Sequence, residues 1–109
     1  MDSRQQRVAK NEVLFREVNE RIKEVNEPVA PGDRSDYLCE CGNRDCTEPV
    51  ALTLVEYEQL RSEPTHFAVV SGHIAPDVEH VIAENDRYVV VEKSSPAAAR
   101  IAIERDPRS

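Results

Sequence analysis

Three cysteines lie within eight residues of one another, and this spacing constrains the fold more than any other feature of the chain. Cys39, Cys41 and Cys46 form a C-x-C-x4-C pattern. An odd, clustered set is a poor disulfide framework, whereas thiolates on one tight turn can converge on an ion at little cost in loop-closure entropy. Of the 109 residues, 39% are hydrophobic and 5% aromatic, so the core is small and would gain from a bound ion. The pattern therefore predicts a structural Zn²⁺ site.

A tetrahedral zinc site needs four ligands, and the three sulfurs leave one position to fill. We expect His73 to be the fourth ligand, because it follows a glycine in a predicted turn, where a side chain can be aimed freely. His66 and His80 fall in or beside predicted strands and remain alternatives, as does a water molecule or a carboxylate. Asp77 and Glu79 are candidates to accept a hydrogen bond from the other ring nitrogen of His73.

The balance of charges argues against two classes of partner. With 14 Lys and Arg against 21 Asp and Glu, the formal net charge is −7. Generic nucleic-acid binding and binding to anionic membranes both require a basic surface. The first 26 residues are charged throughout and lack the apolar segment of a signal peptide, and no apolar run approaches a membrane span. Together with the unpaired cysteines, these features predict a cytoplasmic protein.

Apolar residues recur at helical spacing over residues 5–26 and predict an amphipathic helix, which Pro28 ends. We treat residues 1–27 as an N-terminal helical segment. Its apolar stripe either packs on the protein's own core or binds a protein partner, including a second copy of the chain through a coiled coil. The stripe consists of Val8, Leu14, Phe15, Val18, Ile22 and Val25.

Residues 36–93 are predicted to form a zinc-stabilised domain. Short strands at 37–39 and 50–52 flank the cysteine-bearing turn. Thr53 and Glu56 then have the spacing of a capping box, which begins a short helix that ends near residue 62.

The second half of this domain is predicted to be mainly β. A strand at 66–70 precedes a hairpin whose strands are 78–83 and 87–92, although 77–84 also fits a helix. Residues 94–109 are expected to form a frayed helix or a disordered tail. The predicted fold class is α+β, with an N-terminal amphipathic helix, a zinc-knuckle β-hairpin, a short capped helix and a C-terminal β-hairpin.

Five ordered segments of residues 11–93 resemble a family of small uncharacterised actinobacterial proteins. The resemblance implies that Cys39, Cys41, Cys46 and His73 bind a metal together, and it implies no activity. Members often have Pro before the Gly-His pair, where this chain has Ser71. The segments are FREVNERI (15–22), CECGNRDC (39–46), EPVALTLVEYEQLR (48–61), SGH (71–73) and YVVVEK (88–93).

No catalytic motif accompanies the predicted site, since the sequence lacks a Ser-His-Asp order, a phosphate-binding glycine loop and an H-E-x-x-H pattern. We therefore expect a non-enzymatic interaction or regulatory protein with a structural zinc ion. Two alternatives stay open. One is a metal-dependent enzyme in which zinc keeps a water molecule and Glu40 or Asp45 is the base. The other is a redox or zinc sensor that uses the same thiols.

Overall fold

The computed structural model describes residues 3–27, 30 and 32–108, and its fold is mixed α+β, as the sequence predicts. Within those residues, none of the helices combines the length and the apolar character that crossing a membrane requires. In chain order the elements are α1 (Ser3–Asn26), β1 (Arg34–Leu38), β2 (Pro49–Thr53), α2 (Leu54–Arg61), β3 (His66–Val69), β4 (Glu79–Glu84), β5 (Val89–Lys93) and α3 (Pro96–Glu104).

The strands form two antiparallel sheets. β1 pairs with β2 so that Tyr37 lies opposite Val50, and the second sheet has the order β3-β5-β4. The predicted hairpin of β4 and β5 is confirmed, and the helical alternative for 77–84 is wrong. Val89 and Val91 alternate along the central strand β5 and are buried, as expected for an antiparallel sheet that packs one face on the core.

Helix α1 packs on the core through only part of its apolar stripe. Val8 and Ile22 of the stripe are partly buried against the core, whereas Leu14, Val18 and Val25 are exposed. Packing on the protein's own core, one of the two interpretations of the stripe, therefore holds for part of it and leaves the other part open to solvent. The buried face of α1 consists of Ala9, Glu12, Val13, Arg16 and Asn19.

The polar groups on the buried face of α1 have partners far along the chain. Glu12 forms a buried ion pair with Lys93, which also pairs with Glu79. Burial and a hydrogen bond with Glu79 raise the pKa of Glu12, while Lys93 opposes that shift. Arg16 donates hydrogen bonds to the carbonyl oxygens of Pro64 (2.6 Å) and Ala102 (2.7 Å). Since buried charges are costly unless paired, these contacts explain how a charged face can pack inward.

Helix α2 begins as the sequence predicts. The Thr53 side chain accepts from the Glu56 N–H at 3.1 Å, and the Glu56 carboxylate accepts from the Thr53 N–H at 2.9 Å, so the capping box is confirmed. Tyr57 of α2 is fully buried and stacks on Tyr37 of β1, with ring centroids 4.7 Å apart. This stack joins α2 to the first sheet.

Residues 96–104 form helix α3, within the segment that was expected to be a frayed helix or a disordered tail. The Ser95 side chain caps it, and Pro96 occupies its first turn. Ala98 and Ala102 are buried, and Ala98 packs in a small cluster with Ala9 of α1. Small side chains allow α3 to approach α1 closely, although they bury little apolar area. The division of the chain into helical segment, metal-stabilised domain and tail stays a prediction.

Candidate metal centre

The cysteine loop connects β1 to β2 and lies against β3 and α1. The Glu40 N–H donates to the carbonyl oxygen of Ala68 at 2.9 Å, which holds the loop beside β3. Gly42 has a φ of 79°, in the left-handed region that favours glycine. A Cβ at this position would lie 2.8 Å from the backbone oxygen of Val8, so the loop touches α1 at a point where no side chain fits.

Four side chains from this loop and from the loop after β3 meet at one point. The ligand atoms of Cys39, Cys41, Cys46 and His73 all lie within 4.8 Å of one another. The Nδ1 atom of His73 is 3.7 Å from the Sγ atom of Cys39 and 3.6 Å from that of Cys46. In a tetrahedral zinc site, bonds of about 2.3 Å to sulfur and about 2.0–2.1 Å to nitrogen place these two atom types about 3.6 Å apart. The cluster could therefore hold a metal ion with little rearrangement.

His73 reaches the cysteines from a tight turn. Gly72 has a φ of 86°, and the His73 N–H donates to the carbonyl oxygen of Val70 at 2.9 Å. This turn aims Nδ1 at the sulfurs, while Nε2 lies 3.8 Å from the carboxylate of Glu48. A carboxylate at the second nitrogen favours the tautomer that leaves Nδ1 free to bind a metal.

Glu48 was not among the residues that the sequence singled out for this role. Of the two candidates, Asp77 pairs with Arg4 at 2.6 Å, and Glu79 pairs with Lys93 and accepts from the Ala75 N–H. Neither candidate is therefore shown in contact with His73, and both have partners elsewhere. The sequence did contain a signal for Glu48. It follows the last cysteine by two residues, and a residue at the end of the cysteine loop stays near the cluster.

Each sulfur also accepts a hydrogen bond from the backbone. The Val70 N–H donates to Cys39 Sγ at 3.2 Å. Backbone N–H groups of Asn43 and Glu48 donate to the sulfurs of Cys41 and Cys46, respectively. Such N–H groups stabilise negative charge on sulfur, as metal-binding thiolates need.

The three thiols nevertheless compete for one negative charge. A hydrogen bond from the Cys39 thiol lowers the pKa of Cys41 to about 5. The same contact, followed by burial, raises the pKa of Cys39, and burial raises the pKa of Cys46. A bound divalent cation would remove this competition, because it stabilises all coordinating thiolates together.

The other two histidines are not brought to the cysteines. His66 on β3 and His80 on β4 flank Glu92 of β5, with ring nitrogens 2.9 Å and 3.8 Å from its carboxylate oxygens. The strand register places these three residues in one row across the sheet. Neither of them belongs to the group of four side chains that the structure brings together.

Glu40 lies between two of the cysteines in sequence, yet its side chain is part of the core. It is fully buried and pairs with Arg61 at 2.9 Å, while it also accepts from Asn19 at 2.8 Å and from the Ala68 N–H at 3.0 Å. A carboxylate with these partners holds α1, α2 and β3 together, and its hydrogen bonds direct it into the core. Asp45, the other candidate base, is exposed.

Comparison with known proteins gives no relatives. No model of a protein family matches the chain, and no curated protein and no solved structure is significantly similar to it. The resemblance to a family of actinobacterial proteins thus finds no support here beyond the clustering of the four side chains.

Proposed function

We propose that this chain is a small zinc-binding protein in which Cys39, Cys41, Cys46 and His73 hold a structural Zn²⁺ ion. The observation that carries the proposal is the pair of sulfur–nitrogen distances, 3.7 Å and 3.6 Å, within a group of four ligand atoms. Three thiolates and one imidazole suit zinc better than magnesium or calcium, which prefer oxygen ligands. Such thiolates persist in a reducing compartment, which supports the predicted cytoplasmic location.

A non-enzymatic interaction or regulatory role fits this site best. Four protein ligands complete a tetrahedral shell and leave no position for substrate. The predicted base Glu40 is bound by Arg61 and Asn19, so the metal-dependent enzyme loses one of its two candidate bases. The ion would connect the cysteine loop to the turn that follows β3, and through them the two sheets.

The exposed stripe of α1 supports protein binding. Leu14, Val18 and Val25 are 51%, 37% and 78% exposed, and Val18 and Val25 together with Ile22 line one continuous apolar surface, the kind of patch that marks an interaction site. Beside them an apolar groove of about 340 Å³ is flanked by Arg21 and Asp36. Because these two charges are opposite, two copies related by a two-fold axis could pair Arg21 of each copy with Asp36 of the other. A second copy of the chain is therefore the partner that we favour.

The metal is tested on the purified full-length protein. Elemental analysis should give about one zinc ion per chain, and removing the ion with a chelator should lower the melting temperature. Loss of a group that only hydrogen-bonds to a metal ligand already weakens metal affinity by up to about a hundredfold. His73→Ala removes the ligand itself and should therefore weaken zinc affinity by more than that. His66→Ala and His80→Ala are matched controls and should leave the affinity unchanged. Equal effects in all three variants would remove the assignment of the fourth ligand.

Cobalt substitution separates the proposed role from its alternatives. A closed tetrahedral site gives a spectrum that added anions do not change. A spectrum that changes on adding an anion would show an open coordination position and favour the enzyme. Reversible release of the ion at mild oxidant concentrations would favour the sensor.

Self-association is measured by light scattering over a range of protein concentrations. Val18→Glu should yield a folded monomer, because Val18 is on the exposed stripe. Val13→Glu is the control in the buried face and should unfold the chain instead. A wild-type protein that stays monomeric at every concentration would exclude the second copy as partner.

A further inference from the structure

A groove of about 830 Å³ opens beside the metal centre. Its walls are the first turns of α1, the cysteine loop and the loop after β3. Two of the four cluster residues, Cys41 and His73, line it, so a molecule in the groove would touch that side of the centre. The lining residues are Arg4, Arg7, Val8, Asn11, Cys41, Gly42, Asn43, Arg44, Asp45, His73, Ile74 and Ala75.

The charge of this groove contrasts with that of the whole protein. The chain has a net charge of −7, yet three arginines and one carboxylate, Asp45, line the groove. Arg4 is engaged by Asp77 at 2.6 Å. Among the residues that the structure describes, Arg7 and Arg44 form no ion pair, and both are exposed. Their guanidinium groups are therefore free to bind an anion from outside.

The walls of the groove are held in place before any ligand arrives. The Asn11 side chain donates to the Gly42 carbonyl oxygen at 2.9 Å, and Gly42 sits against Val8 too closely for a larger residue. A bound zinc ion would fix the cysteine loop further. Preformed concave sites bind ligands well because little conformational entropy is lost on binding.

We infer that this groove binds a small ligand through an oxyanion, a phosphate or a carboxylate, held by Arg7 and Arg44. The planar guanidinium group offers paired N–H donors that match the oxygens of either anion. The volume is within the range of small-molecule sites. The inference goes beyond the structural zinc ion, which here holds one wall and takes no part in the binding itself.

The test uses the zinc-loaded full chain, with inorganic phosphate, pyrophosphate and citrate as probes in calorimetric titrations. We expect at least one probe to bind. Arg7→Ala and Arg44→Ala should each weaken that binding by about tenfold or more, as expected for the loss of a hydrogen bond to a charged group. Arg34→Ala removes an exposed arginine from β1, outside the groove, and should leave the affinity unchanged.

The pattern of binding identifies the ligand class. Binding of pyrophosphate or phosphate but not citrate supports a phosphate ligand, and the reverse supports a carboxylate. Amide chemical-shift changes should concentrate in residues 4–11 and 41–45. No binding by any probe, equal losses in all three arginine variants, or shift changes spread over the surface would overturn the inference. Zinc content is measured on the same samples, so a chain that holds zinc but binds no anion refutes the groove and leaves the metal site intact.

Discussion

Replacing Gly42 by alanine should destabilise the protein through two separable effects. The first is conformational, because a φ of 79° costs a residue with a Cβ about 1–2 kcal/mol. The second is steric, because the new Cβ would lie 2.8 Å from the Val8 oxygen and 2.9 Å from its Cγ1. The neighbour on α1 is backbone and cannot rotate away, so the cysteine loop must shift, at about 1–3 kcal/mol. The sum, about 2–5 kcal/mol, is a large share of the roughly 5–15 kcal/mol that stabilises a typical domain.

Gly72→Ala is the matched control for this change. Gly72 has a similar φ of 86° and likewise lies beside one of the four cluster residues, but a Cβ there would meet nothing within 4 Å. It should therefore cost only the conformational part, about 1–2 kcal/mol. Urea unfolding of the zinc-loaded proteins, followed by circular dichroism, gives both free energies. If Gly42→Ala were no more destabilising than Gly72→Ala, the close contact between the loop and α1 would not exist as described.

Two further predictions concern the charges of the fold. Lys93→Met should lower the free energy of unfolding, measured by urea denaturation, by about 3–5 kcal/mol, because it leaves Glu12 and Glu79 buried without their cation. Glu12→Gln removes a carboxylate whose pKa is already raised, so its loss of unfolding free energy should be clearly smaller. Equal costs would refute the role of Lys93. Hydrogen bonds from Arg87 lower the pKa of Glu56 to about 2 from its usual 4.5, so the pair contributes stability above pH 4.5 that is lost as the pH falls toward 2. In Glu56→Gln the free energy of unfolding should no longer show this loss between pH 4.5 and 2. If its dependence on pH is the same as in the wild type, the ion pair does not contribute as described.

The clustering of the three cysteines with His73 was the most predictable part of the structure, because it depends on local features. Three cysteines in eight residues must stay close, and a glycine before His73 lets the turn aim the ring. The capping box of α2 was predictable for the same reason, since Thr53 and Glu56 act across one helical turn.

The packing of α1 was not predictable in this way. Hydrophobic periodicity assigns the apolar face to the core, but here Glu12, Arg16 and Asn19 are buried. They are buried because they bind partners that are distant in sequence. Arg16 and Ala102 are separated by 86 residues along the chain, and Asn19 and Glu40 by 21. A single sequence does not reveal which distant groups will meet, so the burial of charge by mutual pairing could not be anticipated. For the same reason the alternative that offered Glu40 as a base did not anticipate its pairing with Arg61 and Asn19 in the core.

The contacts of Arg16 and Glu12 with Ala102 and Lys93 join the two ends of the chain. During synthesis on a ribosome, α1 is made before these partners, so its charged face stays unpaired until the chain has been extended as far as Ala102. The cysteine loop and His73, which are only 27 to 34 residues apart, can assemble earlier. Under the proposed zinc site, the ion would bind before the core closes, and a chain made without zinc would reach that later step with its cysteine loop not yet fixed.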